Sequence, residues 1–265
     1  MGTKIIIISG SEIRHRFLSA YLAKEKKIKI LLSLQEKVKK LKDNNDLKNY
    51  KIFKKHLKDR DIIEKKYFKE FLTYEKKYNI IKVKKRYCDS KTAIEKLKRL
   101  KPDFIITFGC SIIKENFINK FKDKIINIHL GLSPYYRGSG TNFFPFVFNE
   151  LQFLGSTIMK IDKGIDTGKI ITQVRPNLVE ADNIHTVGNK IIFDTVKIIK
   201  KILLSKKKIK ASYIVSNYKT RIFKNKDFNI KILKKAQTNL KKGMIKIFLK
   251  NKKEIEKKYK IITRY

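Results

Sequence analysis

Five short apolar runs, "KIIIIS" (4–9), "KIKILLSL" (27–34), "YNIIKVKK" (78–85), "DFIITFG" (103–109) and "KIINIHL" (124–130), recur along the first half of the chain. They are rich in β-branched residues, and several are apolar at every position rather than at alternate ones. That pattern marks strands covered on both faces. Helical spacing fills the intervals. In "SEIRHRFLSAYLAK", Ile13, Phe17 and Tyr21 recur every four residues beside Leu18 and Leu22, with Ser11 as the expected N-cap. "SKTAIEKLKRLKP" starts at Ser90, turns Ile94 and Leu97 inward and stops at Pro102, and "SIIKENFINKF" follows the fourth run. Strand and helix in alternation give an α/β fold with a doubly wound, mostly parallel sheet. Ligands of such sheets sit beyond the carboxyl ends of the strands, where Gly109 and the residues from Asn127 onward fall.

Residues 36–78 interrupt the alternation with a lysine-dominated helical stretch through which Leu41, Leu47, Phe53, Leu57, Ile62, Phe68 and Leu72 are scattered. It reads as a solvated helical insertion lying on the domain, with a partner-binding or homodimer surface as the competing reading. Further on, "TNFFPFVFNE" is a short helix, and the strands "GSTIMKID" and "KIITQVRP" bracket the loop "KGIDTG". Asp182 is the expected cap of a helix running to about Leu204. The division expected is a catalytic domain over 1–205 and a small basic α/β extension over 206–265. That extension opens with a strand "ASYIVS" and holds one or two basic helices.

The chain has 265 residues and a formal net charge of +41. Such a charge ordinarily points to nucleic acid or an anionic membrane. Here lysine carries the excess and only nine arginines occur, alongside abundant Ile, Asn, Phe and Tyr. The bias is the one that AT-rich codons produce, and it lacks the arginine forks that read phosphate and base edges. Two cysteines, Cys88 and Cys110, are too few for a disulfide framework and fit a reducing cytoplasm. No apolar run is long enough for a signal peptide or a membrane span, so no membrane insertion is expected.

Against this background, residues 125–159 contain no lysine, where average density would place about seven. Seven of the eleven glycines also lie between 101 and 170, as expected where backbone must approach a ligand. Within the lysine-free window, Asn127 and His129 are spaced i, i+2 at a strand end and point to one side. An imidazole and an amide, with a carboxylate from Asp162 or Asp166, form a set suited to acyl transfer to an amine. The amine must lose a proton, and the oxyanion needs a donor. Structural hydrogen bonding is the competing reading of the Asn-x-His pair.

"NIHLGLSPYYRG", followed from Gly155 by "GSTIMKIDKGIDTGKII", resembles the folate-dependent formyltransferases, which include methionyl-tRNA, glycinamide ribonucleotide and sugar-nucleotide N-formyltransferases. The resemblance rests on Asn127-Ile128-His129, on Leu132-Ser133-Pro134-Tyr135-Tyr136-Arg137-Gly138 and on Asp162-Lys163-Gly164-Ile165-Asp166-Thr167-Gly168. It covers residues 100–205 well, and 1–100 only in strand order. It implies a Rossmann-like formyltransferase fold and transfer of a formyl group from 10-formyltetrahydrofolate to a primary amine, without a metal. His129 would move the proton, Asn127 would hold the formyl oxygen, and Asp166 would pair with His129. The folate would lie against Gly109, Cys110, Ser111, Ile112 and Ile113, against Ile161, Asp162, Lys163 and Gly164, and near Gly138. A lysine in the window would set a competing amine beside the formyl donor.

The sequence departs from the family pattern in Gly131-Leu132-Ser133-Pro134, where Ser-Leu-Leu-Pro is usual, and in "SGSEIRHRF", where glycinamide ribonucleotide formyltransferases carry a glycine-rich phosphate turn. Candidate substrate contacts are Ser133, Tyr135, Arg137 and Arg14, the last beside His15 and Arg16, which otherwise read as solvated helix residues. About 60 residues follow the last core helix. That is short for a tRNA-binding barrel, although the basic tail keeps tRNA open. A formyltetrahydrofolate hydrolase, whose core is similar but carries an N-terminal regulatory domain, is not the expectation. The acceptor expected is therefore a small amine such as an amino-sugar nucleotide. Methionyl-tRNA and glycinamide ribonucleotide are the alternatives, and a non-catalytic basic binding protein is the competing class.

Overall fold

The computed structural model describes residues 2–37, 47, 49–205, 207–216 and 218–265. Parallel strands β1 (Thr3–Gly10), β2 (Ile28–Glu36), β3 (Ile80–Val83), β4 (Phe104–Phe108) and β5 (Ile125–His129) alternate with helices α1 (Ile13–Leu22), α2 (Lys51–Phe68), α3 (Lys91–Arg99) and α4 (Glu115–Phe121). After β5 come β6 (Tyr136–Gly138), α5 (Phe144–Phe148), β7 (Ser156–Lys160), β8 (Ile170–Val174) and α6 (Ile184–Leu204). The main sheet has the order β3-β2-β1-β4-β5-β7-β8, with β7 and β8 antiparallel. The doubly wound, mostly parallel sheet expected from the five apolar runs is thus present.

Alternate residues of β1 face opposite layers. Ile5 and Ile7 pack with α1, α6 and Phe68, whereas Ile6 and Ile8 pack with α3 and α4. Two caps differ from expectation. Glu12, not Ser11, stands at the N-cap of α1 and makes no side-chain cap bond. Asn183, not Asp182, caps α6, accepting from the amides of His185 and Thr186 in a capping box. Asp182 instead accepts from the Thr186 hydroxyl and from Lys190.

The expected solvated insertion is a layer of the core. Leu41 and its neighbours in 38–46, and residue 48, lie outside the described residues. In α2, Phe53, His56, Glu64 and Phe68 are buried. Their spacing, with Arg60 between, draws one stripe along the helix that the surrounding lysines obscure. Phe68 stacks on Phe17 of α1 at 4.5 Å, and Phe71 packs edge-on to Phe17. Phe68→Ala is expected to cost about 3–5 kcal/mol in urea unfolding, whereas a solvated insertion would change stability by less than about 0.5 kcal/mol.

The stretch 206–265 also differs from expectation. "ASYIVS" forms no strand beyond a single bridge between Ser212 and Ile170. The strand is β9 (Arg221–Phe223), which pairs in parallel with β6. Three helices follow, α7 (Ile230–Lys241), α8 (Met244–Lys250) and α9 (Lys252–Lys258). Ala236, Met244, Ile245 and Phe248 share one cluster with Tyr136, Phe144, Phe153 and Val187.

The lysine-free window acquires a packing explanation from the same layers. Within 125–159 only Gly140 and Asn149 are exposed, and lysine is almost never fully buried without a partner.

Buried His56 and half-buried His185 bring α2 against the start of α6, ring centroids 4.6 Å apart. Burial, then the neighbouring imidazole, pushes His56 down to about 3; burial, then Arg60, pushes His185 down to about 4. Both groups are neutral in the fold and protonate readily once it opens. Stability is therefore fully present above about pH 6.5 and falls as the pH drops, down to about pH 4 for His185 and pH 3 for His56. Urea midpoints measured between pH 7 and 5, above the carboxylate range, are expected to fall, and to fall less steeply in His56→Leu. A flat profile would contradict the neutral pair.

Candidate active site

Asn127 and His129 leave the same face of β5 as Ile125, whose side chain packs under α3 and α4. In register, Thr107 of β4 lies beside Asn127, and its hydroxyl donates to Asn127 Oδ1 at 2.7 Å. With its oxygen held, the Asn127 amide presents its N–H donors to the crevice at the carboxyl ends of β4 and β5.

β7 runs antiparallel to β5 with Lys160 opposite Ile126. The loop that follows returns along β5 and brings Asp166 to His129, with Oδ2 at 3.2 Å from Nδ1. Asp166 holds a left-handed backbone, φ 52°, a strained conformation that clusters at functional sites. Asp162, the other candidate carboxylate, is spent on its own loop, accepting from the Gly164 amide and the Thr167 hydroxyl. The chain's geometry therefore selects Asp166 as the partner.

The other imidazole nitrogen, Nε2, lies 2.9 Å from the carbonyl oxygen of Tyr136. The amide of Gly138 donates to Asp166 Oδ2 at 2.9 Å. Strand β6 thus touches the imidazole with its first residue and the carboxylate with its last. His129 is only 6% exposed, so water cannot substitute freely for either contact. A neutral imidazole has one N–H and satisfies one of two facing oxygens; the doubly protonated ring satisfies both.

The remaining candidates are dispersed around this centre. Glu36, buried at the end of β2, accepts from the Ser111 amide at 2.7 Å and the Ser111 hydroxyl at 2.9 Å. This fixes the 109–113 loop and removes the Ser111 amide from ligand binding. Within that loop Ile113 is buried and Ile112 is 64% exposed. Burial, then Glu36, raises the Cys110 thiol far above its ordinary value, so it is no nucleophile. Lys163 pairs with Glu115 at the start of α4, and Ile161 packs beside the α3–α4 core.

On the opposite flank, Tyr135 is buried and stacks on Phe153 at 4.6 Å. The Ser133 amide donates to Thr157, while its hydroxyl is buried without a partner among the described residues. Arg137 has a buried Nε without a partner among the described residues. Arg14 lies away from His129, its guanidinium on Glu12 and Glu64. His15 is buried against Phe108, and Arg16 pairs with Glu75. These three are packed residues, not the solvated ones considered from sequence.

Thr107, Glu36 and the Tyr136 carbonyl escaped sequence reasoning. Their roles depend on strand register and on main-chain direction, which no motif encodes. Gly131 matters for space: a Cβ there would meet His129 Nε2 at 2.5 Å and Thr141 Oγ1 at 2.7 Å.

A family model described as formyl transferase matches residues 6–203. The chain belongs to the formyl transferase family. Over 114 residues it is 35% identical to a methionyl-tRNA formyltransferase of Staphylococcus epidermidis, covering 42% of this chain and 36% of that protein. A methionyl-tRNA formyltransferase of Clostridium beijerinckii is 40% identical over 113 residues, covering 42% and 34%. The matched segment spans about a third of the length of these curated relatives.

Solved structures share the fold at lower identity. A phosphoribosylglycinamide formyltransferase from Bacillus halodurans has a TM-score of 0.53 at 20% identity, covering 77% of this chain and 96% of that one. A sugar N-formyltransferase from Shewanella has a TM-score of 0.53 at 13% identity, covering 90% and 87%.

Gly131→Ala is expected to displace the imidazole while leaving the sheet intact. A crystal structure of the variant would show the 3.2 Å contact to Asp166 broken; an unmoved ring would contradict the close-approach role.

Proposed function

We propose that the protein transfers a formyl group from 10-formyltetrahydrofolate to the primary amine of a small anionic acceptor, an amino-sugar nucleotide being the first choice. The observation that carries this reading is the His129–Asp166 contact beside Asn127, whose amide donors face the crevice. The donor fits the residues present. Exposed Ile112 and Ile165 offer aliphatic surface on the two loops that flank the crevice, and the Asn127 amide offers a polar donor. When bound, 10-formyltetrahydrofolate supplies a formyl carbon on a nitrogen able to leave.

The chain's own groups then have distinct tasks. Asn127 donates to the oxygen that gains negative charge as the amine adds. His129 takes the proton that the amine loses and returns it to the departing nitrogen, Nε2 exchanging the Tyr136 carbonyl for the reacting nitrogen, so no net proton is consumed. Asp166 orients the ring through Nδ1 and stabilises the cation formed meanwhile. The Arg137 guanidinium, one residue from each end of the β6 contacts, is suited to an anionic group on the acceptor. Cys88 and Cys110 are both free thiols, in keeping with a cytoplasmic setting.

Two features bear on the acceptor. The β1–α1 segment carries Glu12, and its Arg14 is spent on Glu12 and Glu64, which disfavours a phosphate of glycinamide ribonucleotide there. Methionyl-tRNA is the second reading, favoured by the 35–40% identity to methionyl-tRNA formyltransferases over the matched segment.

His129→Ala is expected to reduce transfer by about 10²–10⁴-fold while folate binding, measured by fluorescence quenching, persists. Equal loss of both would make His129 structural. An acceptor screen with amino-sugar nucleotides, methionyl-tRNA and glycinamide ribonucleotide separates the readings. Turnover with tRNA alone would replace the first choice, and inactivity with all three would overturn the transferase reading.

A further inference from the structure

Opposite the crevice from the folate loops lies a second carboxylate that the transfer reaction does not use. Glu150 follows α5 directly, after Asn149 in a left-handed conformation, and its amide is bonded to the Pro145 carbonyl. Its side chain accepts from the hydroxyl of Tyr136, from the hydroxyl of Tyr218 at 2.6 Å and from Arg221 Nη2 at 3.2 Å. Tyr136 belongs to β6, Arg221 opens β9, and Tyr218 precedes β9 in the 206–265 extension. One half-buried carboxylate therefore joins the strand that brackets His129 and Asp166 to the strand that holds it from outside.

The main chain repeats the connection. Arg221 donates its amide to the Tyr135 carbonyl at 2.8 Å, and Ser139 donates to the Phe223 carbonyl at 2.9 Å. At Gly138, φ is 92° and a Cβ would meet the Phe223 carbonyl oxygen at 2.1 Å, so β6 and β9 approach as closely as backbone allows. Tyr136 has no exposed surface, and its ring stacks on Phe223 at 5.5 Å and lies against Phe153. Both ends of this residue are fixed, the hydroxyl by Glu150 and the carbonyl by His129 Nε2. Burial, then the Glu150 hydrogen bond, raises the Tyr136 phenol far above its ordinary range, and the same causes push Tyr218 up to about 12. Both hydroxyls therefore stay protonated and donate.

We infer that Glu150 is a positioning residue for His129, acting through the Tyr136 hydroxyl to hold the Tyr136 carbonyl on Nε2, and that the 206–265 extension belongs to the catalytic assembly through β9. The inference rests on the reading of His129 as the proton-handling group. Outer-shell carboxylates behind a metal-bound imidazole are worth about 10–100-fold in affinity or activity, and the lower end of that range is the effect expected of Glu150. Because the path runs through Tyr136, loss of either Glu150 or the tyrosine hydroxyl severs it, and their combined loss adds little.

The test uses the full chain with Tyr136→Phe, which deletes only the hydroxyl, Glu150→Gln, which keeps the side-chain length and one acceptor oxygen, and the double variant. The expected result is a fall in kcat of about 10-fold for Tyr136→Phe, with the donor KM within about twofold and the pH dependence of kcat altered. The ¹⁵N resonance of His129 Nε2 is expected to move. Glu150→Gln should follow in the same direction, and the double variant should match the worse single.

An unmoved resonance with unchanged kcat and a lower Tm would overturn the inference, leaving a clamp that serves stability alone. Additive losses would overturn it as well. The resonance is read without any acceptor, so its outcome stands apart from that of the acceptor screen. Movement of the resonance in a protein without transferase activity would leave the positioning intact and remove only the functional reading.

Discussion

The contact between His129 and Asp166 is made across a sheet that offers no natural place for it. β5 ends in an imidazole on the face covered by α3 and α4, while the carboxylate belongs to a loop that begins near the other end of β5. Bringing the two together requires the loop to return along the strand, Asp166 to take up a left-handed backbone and Gly131 to leave room for the ring. Most local features of the 125–168 segment follow from that requirement. Strand β6 then closes the arrangement, because its Tyr136 carbonyl meets His129 Nε2 and its Gly138 amide donates to the same Asp166 Oδ2 that meets Nδ1.

This dependence explains why the extension cannot be regarded as an attachment to a finished domain. β6 has three residues and pairs with no strand of the main sheet. Isolated two-stranded ribbons are marginal in water, and β6 persists because β9, Glu150 and the aromatic cluster around Phe153 and Phe223 hold it. The helices that follow β9 share that cluster. Sequence distance between 129 and 221 thus conceals one continuous structural unit.

The fold was legible from the five apolar runs because strands covered on both faces favour β-branched residues without alternation, although "ASYIVS", which looks similar, forms only a single bridge. Asn127 and His129 stood out from their spacing with Asp162 or Asp166 as the carboxylate, the resemblance pointed to Asp166, and the structure places Asp166 against His129. The α2 layer was not, because lysines between Phe53, His56, Glu64 and Phe68 mask a stripe that only packing reveals. β9 was missed because its three residues are too short to show a period. The lack of lysine in 125–159 pointed to the right segment for an incomplete reason. Chemistry beside a formyl donor would exclude an amine, but the scarcity of exposed positions, only Gly140 and Asn149, already disfavours lysine there. Arg14 illustrates the converse: its position at a helix start suggested an anion contact, and its actual partners, Glu12 and Glu64, come from one neighbour and one distant helix.

That the His129–Asp166 pair is bracketed by β6 can be measured directly at one amide. Hydrogen exchange at Gly138 is expected to be about 100-fold or more slower than in an unstructured chain, because its N–H is held by Asp166 Oδ2. In Asp166→Ala that protection is expected to vanish at Gly138 and to persist at Ser139, whose N–H is held by Phe223. Unprotected exchange at Gly138 in the unaltered protein, or protection indifferent to Asp166, would contradict the bracketed arrangement.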